Sequence, residues 1–436
     1  MPDYIEAYTH NQVAVDFLLD GFSDKLGDNR LGDDLPTLVE AEDFQRLSRT
    51  LQSFNAFYAM GRLSNEIRHS NYIAFLLSPT ENHEFGARLL HRLFPVFAGT
   101  GPDDASDVAD IVVMREYDVV DEETRDNIGR LDLLAYDRRK CRVGVVEVKV
   151  GSKLGPQQLE RYRGWVDRYF CAADDDICWD GNLIYLTPSH GLSEAAPIIP
   201  YRIDTVSTRD VAEDQYWTAR SFGDISAIFD AFLDEEREAG RNNPALDSLE
   251  QYIIYLGHHI CPREGCLAPM ARTIAEVHGP ALRRLREARR DLREQAVCAL
   301  TSHFAAIGLQ LKPKRGGHFL SERKSVVDLV PIEAAFGWQD DVFDDLRFSF
   351  NLFDAIPCIT VETRTNDNER CRKWREILNY KVTDRKPGKR VLTWKFALPS
   401  PINPYPVTSE NIGGLVTHVA LRIAQVDAAF LRKLKA

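Results

Sequence analysis

The sequence predicts an α/β protein, and the prediction rests on three features of its first half. Two apolar runs, residues 129–136 and 141–150, lie on either side of a polar tetrapeptide, which is the pattern of a β-hairpin. Apolar residues then recur at helical spacing after residue 155. Shorter runs at 111–114 and 182–187 are rich in strand-forming residues and predict two further strands.

The hairpin is expected to bring two carboxylates together. If Arg139 and Lys140 form its turn, paired positions sum to 279, and Asp132 then lies opposite Glu147. Lys149 lies two residues beyond Glu147 and therefore on the same face of the strand. A bulge or a longer turn would shift this register.

Two facing carboxylates need a partner, because like charges on adjacent strands repel each other. A divalent cation between Asp132 and Glu147 would remove the repulsion, and oxygen ligands suit Mg²⁺ or Mn²⁺. Lys149 would then hold an attacking water or neutralise charge that develops on a phosphate. The alternative is an exposed sheet face with an ordinary alternation of Glu and Lys, since short motifs occur by chance.

The helix after the hairpin supplies further polar groups. Pro156 is predicted to be its first residue. Its buried face is predicted to carry Leu159, Tyr162, Val166, Tyr169 and Phe170. Gln158 and Tyr162 are one turn apart and project together. A glutamine here would contact a phosphate or a metal-bound water; the alternative is an ordinary surface glutamine.

These residues resemble the PD-(D/E)XK nuclease superfamily. The resemblance rests on Asp132, Glu147, Lys149, Gln158 and Tyr162, the last two matching a Q-x-x-x-Y helix. It covers roughly residues 61–190. An upstream block at 65–86 is similar to one prokaryotic branch, with an E-x-x-H-S helix, an L-L-x-P ending and a following His and Gly. Leu131 replaces the nominal proline, and Val148 stands where that branch commonly has Asn.

The resemblance implies a restriction-endonuclease-like core, a mixed sheet with helices on both sides in the order α-β-β-β-α-β. It also implies a metal-dependent nuclease that uses Mg²⁺, with Mn²⁺ as a possible substitute. In such a site Asp132, Glu147 and the carbonyl of Val148 bind the metal. Lys149 positions water or stabilises the transition state, and Gln158 orients the phosphate.

The upstream helix adds one more candidate. Glu66, His69 and Ser70 are predicted to share one helix face, opposite an apolar face of Ile67, Ile73, Ala74 and Leu77. By the resemblance, Glu66 assists the metal as an extra ligand or as a base behind the ligands; the alternative is a capping or surface glutamate. His69 and His83 are expected to be hydrogen-bonded structural histidines.

With 436 residues the chain has room for several folding units. We predict a helical N-terminal segment at 1–60, a nuclease domain at 61–265 and a second, α+β domain at 270–436. No signal peptide or apolar stretch long enough for a bilayer is evident, and eight scattered cysteines give no disulfide framework. These features favour a cytoplasmic protein without a membrane partner.

The net charge of −12 argues against a protein that coats nucleic acid indiscriminately, but the charge is unevenly distributed. Residues 271–436 contain 28 Lys and Arg against 19 Asp and Glu, whereas residues 1–270 contain 26 against 47. A basic C-terminal region would attract phosphate. Its basic stretches are an amphipathic helix at 269–304, a flexible loop at 312–318 and a helix with a following loop at 370–390.

The rest of the C-terminal domain alternates predicted strands and helices. Strands are predicted at 342–343, 346–350, 358–362 and 391–397, and helices at 367–378 and from 409 to the end. A cluster of His and Cys at 258–266 would be compatible with zinc, but it has no second matching pair, so packing is the favoured interpretation.

The sequence therefore predicts a Mg²⁺-dependent nuclease whose expected substrate is DNA. The resemblance also suggests a role in defence against foreign DNA. A homo-oligomer or a partner protein from the same operon is compatible with it. The main alternative is a nuclease-fold subunit that binds nucleic acid or a partner without cutting. A second alternative is a hydrolase of small phosphoesters.

Overall fold

The computed structural model describes most of the first 306 residues and five later segments. The described residues are 2–28, 34–60, 66–85, 87–98, 110–120, 127–150, 154–155, 157–170, 179–189, 201–203, 217–306, 309–313, 326–331, 346–351, 358–363 and 393–397.

The chain divides into two compact units. The first unit is Val13–Leu282, and the second combines Met1–Gln12 with Arg283–Ala436. Each unit is built around its own β-sheet. The three domains predicted from the sequence, at 1–60, 61–265 and 270–436, stay a prediction.

The helices of the described residues all lie within the first 306 residues. They are α1 (Pro2–His10), α2 (Gln12–Phe22), α3 (Leu35–Glu40), α4 (Glu42–Gln52), α5 (Ala56–Ala59), α6 (Glu66–Leu77), α7 (Arg88–Leu93), α8 (Gln158–Phe170), α9 (Phe222–Glu238), α10 (Pro244–Tyr255), α11 (Ala268–Val277) and α12 (Gly279–Ala306). Among the described residues, no helix is both long and apolar enough to cross a bilayer.

The first unit contains a mixed, six-stranded sheet. Its strands are β1 (Ile111–Val120), β2 (Asn127–Asp137), β3 (Arg142–Val148), β4 (Trp179–Thr187), β5 (Tyr201–Ile203) and β6 (Trp217–Ser221). β1, β2 and β3 are antiparallel neighbours, β4 runs parallel to β3 and β6, and β5 pairs antiparallel with β4. The elements α6, β1, β2, β3, α8 and β4 follow the predicted α-β-β-β-α-β order.

The predicted hairpin register is confirmed. The ladder between β2 and β3 runs from Asp137↔Arg142 to Leu133↔Val146, and every pair sums to 279. The predicted two-residue turn is wrong, because residues 138–141 all lie in the turn. Cys141 has a φ of 51°, and the N–H of Lys140 donates to Oδ1 of Asp137 at 3.0 Å, which closes a four-residue turn without changing the register.

The sheet is buried on both faces, which explains the valine-rich sequence of β3. On one face Val143 and Val145 pack with the buried side of α8. On the other face Val146 and Val148 pack in the larger core with residues of α6, α7, α9 and α10. The strand that carries the second predicted carboxylate is therefore central and rigidly packed.

Helix α8 departs from its prediction in two ways. It begins at Gln158, and Gln157 has a φ of 51°, so the residues before Gln158 are not helical and Pro156 lies outside the described residues. Its buried face is Tyr162, Trp165, Val166 and Phe170, whereas Tyr169 is exposed and stacks on Trp165.

Helix α6 also turns a different face to the core than predicted. His69, Ser70, Ile73 and Leu77 are buried together, whereas Ile67 is 46% exposed. The reason is geometric, because positions 66, 69, 70, 73 and 77 follow the i, i+3, i+4 spacing of a single helix face. Glu66 therefore begins the same face that packs on the sheet.

The long basic helix predicted at 269–304 is two helices, α11 and α12, separated at His278. The break coincides with a close backbone approach, since a Cβ on Gly279 would lie 2.0 Å from the carbonyl oxygen of Gly27. The apolar residues interleaved with the arginines of α12 are buried, namely Leu282, Leu285, Ala288 and Leu292. Its basic side is not uniformly solvated, because Arg284 and Arg290 are exposed but Arg289 is buried.

The second unit contains a five-stranded antiparallel sheet in the order β11-β10-β9-β8-β7. The strands are β7 (Leu309–Pro313), β8 (Val326–Pro331), β9 (Leu346–Asn351), β10 (Cys358–Thr363) and β11 (Thr393–Ala397). The strands predicted at 346–350, 358–362 and 391–397 are confirmed by β9, β10 and β11. β7 and β8 were not predicted. The predicted loop at 312–318 is wrong at its start, because Lys312 and Pro313 belong to β7 and pair with β8.

Other C-terminal predictions lie outside the described residues. They are the strand at 342–343, the first residues of the strand at 391–397, the helix at 367–378, the basic stretches at 314–318 and 370–390, and the last helix from 409.

Two glycines offer a matched test of the packing. Gly144 lies in the buried centre of β3, and a Cβ there would lie 2.9 Å from the ring of Phe94. Gly164 lies inside α8 with open space around its Cα. We expect Gly144→Ala to lower the free energy of unfolding by about 1–3 kcal/mol and Gly164→Ala to raise it by about 0.5–1 kcal/mol. Urea unfolding of both variants checks this; equal effects would contradict the packing described.

Candidate functional site

Two acidic residues face each other where β2 and β3 leave their regular ladder. Asp132 lies one position beyond the last ladder pair, Leu133↔Val146, and so is in register with Glu147. Glu147 is only 1% exposed. Oδ2 of Asp132 accepts a hydrogen bond from the N–H of Val148 at 2.7 Å, which fixes the carboxylate against the end of β3.

Lys149 is the cation of the site. Its Nζ donates to Oε1 of Glu147 at 2.5 Å and to the carbonyl oxygen of Val148 at 3.2 Å. Its backbone N–H donates to the carbonyl of Leu186 on β4 at 2.8 Å, so the chain stays anchored to the sheet one residue past β3. The predicted placement of Glu147 and Lys149 on one face is confirmed by this contact.

Gln158 reaches the site from the first turn of α8. Its Nε2 donates to Oε1 of Glu147 at 2.6 Å and to the hydroxyl of Tyr162 at 3.1 Å. Its Oε1 accepts from the N–H of Gly155 at 3.0 Å, which stabilises the start of the helix. Gln158 is therefore not an ordinary surface glutamine, because its amide is hydrogen-bonded to the buried carboxylate.

Tyr162 connects this helix to β2. Its hydroxyl donates to the carbonyl oxygen of Arg130 at 2.8 Å and accepts from the N–H of Arg130 at 3.1 Å. The Tyr162 ring approaches β2 so closely that the residue before Arg130 must be glycine. Gly129 has a φ of 154°, and a Cβ there would lie 2.7 Å from the Tyr162 ring. This contact aligns the strand two residues before Asp132.

Glu66 closes the site from the first turn of α6. Its Oε1 accepts from the N–H of Val150 at 2.9 Å, and its Oε2 lies 3.9 Å from Nζ of Lys149. The structure thus brings Glu66 to the segment that follows β3 and to Lys149. Together, Asp132, Glu147, Lys149, Gln158 and Glu66 form one cluster, as the sequence predicted; their roles in catalysis and metal binding stay proposals.

The electrostatics of the cluster are dominated by burial and by an excess of negative charge. Burial raises the pKa of Asp132 to about 6, although the N–H of Val148 and the ammonium of Lys149 oppose the rise. Burial and the facing charge of Asp132 raise the pKa of Glu147 to about 7. Burial lowers the pKa of Lys149, but its hydrogen bond to Glu147 and the surrounding carboxylates outweigh burial and shift it upward.

The donor set fits a hard divalent cation. Oε1 of Glu147 binds Lys149 and Gln158, while its buried Oε2 has no hydrogen-bond partner among the described residues. A buried carboxylate oxygen without a partner is costly unless something else binds it. No three His, Cys, Asp or Glu side chains in the described part of the chain are placed to hold a metal. Mg²⁺ needs only one or two carboxylates, with water and phosphate completing its shell.

The two upstream histidines are structural, as predicted. Nδ1 of His69 lies 2.8 Å from the hydroxyl of Tyr252 within the core. His83 accepts at Nδ1 from the N–H of Phe85 and donates from Nε2 to the carbonyl of Ser78, both at 2.9 Å. The His and Cys cluster at 258–266 likewise contains no set of three metal-ligating side chains.

Sequence reasoning missed two charged neighbours of Asp132. Arg130 lies two residues before it on β2, and Glu116 lies opposite it on β1, between the pairs Arg115↔Leu133 and Tyr117↔Leu131. The predicted β1 ended at residue 114, because the charged stretch that follows lacks the apolar pattern of a buried strand. The register of the hairpin does not determine how β1 pairs with β2, so it gave no signal for Glu116.

This fold and cluster define an α/β domain with a restriction-endonuclease-like core. Residues 54–253 match the family model of the PD-(D/E)XK nuclease superfamily. The match suggests a nuclease, that is, a hydrolase that binds nucleic acid, and members of the superfamily typically use divalent metals. No curated protein and no solved structure matches the chain.

The raised pKa of Glu147 predicts a pH-dependent stability. Between about pH 4.5 and 7 the folded state binds more protons than the unfolded state, so the stability from this group falls as the pH rises through that window. We expect the Tm of the protein in EDTA to fall with rising pH, and to fall less in Glu147→Gln. Thermal unfolding scans across the window test this, and parallel profiles for the two proteins would rule out the raised pKa.

Proposed function

We propose that the protein is a Mg²⁺-dependent nuclease that hydrolyses phosphodiester bonds in DNA, with Mn²⁺ as a possible substitute. The observation that carries the proposal is the state of Glu147. This buried carboxylate faces Asp132, has one oxygen bound by Lys149 and Gln158, and has the other without a partner. A buried, partly unpaired carboxylate destabilises a central strand, but its free oxygen can bind a cation that also binds a phosphate.

In this proposal each residue has a separate task. Asp132 and Glu147 hold the metal, with the carbonyl of Val148 as a further ligand. A bound divalent cation supplies Lewis-acid stabilisation of phosphate charge and acidification of water. Gln158 orients the phosphate, and Glu66 assists the metal by fastening Val150 and Lys149.

Lys149 acts as a permanent cation in this site. Its raised pKa keeps the ammonium protonated at neutral pH, so it does not serve as the general base. It holds the attacking water and neutralises the charge that grows on the phosphate oxygens. The geometry supports this task, because the ammonium lies among the carboxylates that would position the metal.

Soluble, cytoplasmic action on foreign DNA would suit a nuclease of this family, either as a homo-oligomer or with a partner protein. The uneven charge supports a polymeric substrate, since the basic region at 271–436 would attract a phosphate backbone.

Removal of the Lys149 ammonium tests whether the protein cleaves nucleic acid by this mechanism. We expect Lys149→Ala to reduce cleavage by about 100-fold or more, because the charge on the phosphate loses its neutralising partner. Asp132→Ala is expected to abolish cleavage through loss of a metal ligand. The assay follows supercoiled plasmid, linear duplex, single-stranded DNA and RNA with Mg²⁺ or Mn²⁺.

A matched control is Lys140→Ala, the same substitution in the turn at the opposite end of the hairpin, which should cleave normally. Circular dichroism and thermal unfolding establish that each variant folds. A fully active Lys149→Ala would contradict the mechanism. A wild-type protein that binds nucleic acid in a gel shift but never cuts would instead favour the non-cleaving subunit.

A further inference from the structure

An exposed arginine, Arg130, lies beside the candidate catalytic cluster and has no role in the mechanism proposed above. The side chain of Arg130 is 56% exposed and forms two ion pairs with β1. Its Nη1 lies 3.0 Å from Oε2 of Glu116, and its Nε lies 3.3 Å from Oδ1 of Asp118. Arg130 is two residues before Asp132, so both side chains project from the same face of β2.

The backbone of Arg130 is fixed by two hydrogen bonds, which a surface ion pair does not require. The Tyr162 hydroxyl binds both its N–H and its carbonyl oxygen. The same hydroxyl accepts from Gln158, which in turn donates to Glu147. A continuous chain of hydrogen bonds therefore links the Arg130 backbone to the buried carboxylate, and it fixes the point from which the guanidinium extends.

The two carboxylates that hold Arg130 are poor permanent partners. Glu116 has a φ of 50° inside a strand, a conformation that is strained for a residue with a side chain. Its Oε1 is buried without a hydrogen-bond partner among the described residues. Asp118 is 64% exposed. Exposed ion pairs contribute about 0–1 kcal/mol, so a better acceptor displaces them at little cost.

We propose that Arg130 binds a backbone phosphate of the nucleic acid next to the phosphate that is cleaved, and that Glu116 and Asp118 hold its guanidinium until the substrate arrives. This inference rests on the proposed function. The guanidinium fork matches phosphate oxygens in a bidentate contact. Residues two apart in a strand are separated by about 6.6 Å, so Arg130 reaches a phosphate beside the one near Asp132.

A positioning role and a purely structural ion pair make different predictions. A phosphate contact strengthens binding and adds to its salt dependence, whereas an ion pair between β1 and β2 affects only stability. The hairpin contains a matched control. Arg139 is 67% exposed and pairs with Asp110 at 3.5 Å, at the other end of β2. Arg130→Gln and Arg139→Gln remove the same charge from the same protein.

The test measures steady-state cleavage of a short, fluorescently labelled DNA duplex by the full chain in Mg²⁺, at several KCl concentrations. We expect Arg130→Gln to raise KM about 10-fold, to leave kcat within about twofold, and to reduce the slope of log KM against log salt by about 1. Arg139→Gln should match the wild type in all three. Thermal unfolding of both variants measures the loss of the ion pairs separately.

A second variant tests whether Asp118 competes with the phosphate. Asp118→Asn should lower KM in the wild-type background, and most of that gain should disappear in the Arg130→Gln background, because the competition acts through Arg130. An equal gain in both backgrounds would mean simple loss of negative charge and would contradict the competition.

The two levels of the proposal fail in distinguishable ways. If the wild type cleaves the duplex and Arg130→Gln has an unchanged KM and salt slope, the role of Arg130 is wrong and the nuclease stands. An equal effect from Arg139→Gln would also overturn it, since only overall charge would then matter. If the wild type neither binds nor cleaves, the proposed function itself fails.

Discussion

The structure depends on one electrostatic conflict, a pair of carboxylates in register on adjacent central strands. Asp132 and Glu147 lie where valines would pack more favourably, and a single ammonium from Lys149 is their nearest cation. Burial raises the pKa of both acids, which measures how poorly the folded protein tolerates their full charge. A domain retains such a pair when a bound cation resolves the conflict.

The surrounding elements are arranged to hold this pair in one geometry. Helix α8 contributes Gln158 and Tyr162, which connect the buried carboxylate to the backbone of β2. Helix α6 contributes Glu66, which fastens the chain beyond β3. The supporting side chains come from helices packed on opposite faces of the sheet. The two hydrophobic cores fix the positions of these helices, so the side chains of the site are held rigidly.

Much of the site was predictable from the sequence because strand pairing is periodic. The hairpin register followed from where the polar turn lies, and a longer turn than expected left it unchanged since the added residues were symmetric about the same centre. The E-x-K spacing then placed Lys149. The family resemblance, rather than spacing, pointed to Glu66. Helix starts were less predictable, as at Gln158, because they depend on single backbone angles such as that of Gln157.

The missed residues and strands have separate physical reasons. Glu116 lies in a strand segment whose polar side chains hide the alternation of a buried strand, so the predicted strand ended before it. Arg130 was predicted within a strand, but its charge has no sequence pattern that points to a role at the site. Ile67 was misplaced because an apolar side chain was assumed to be buried, although helix geometry turns it away from the core. In the second sheet, β7 and β8 were missed because charged residues and prolines interrupt their apolar pattern: Lys312 and Pro313 in β7, and Asp328 and Pro331 in β8.

Calorimetric titration of the full chain with Mn²⁺ probes the cation site at Asp132 and Glu147 without any substrate. We expect saturable Mn²⁺ binding in the wild type and its loss in Asp132→Asn and in Glu147→Gln. Binding should be retained in Asp118→Asn, which removes a nearby exposed acid. Wild-type binding that survives both Asp132→Asn and Glu147→Gln, or no binding at all, would contradict a cation site between these two carboxylates.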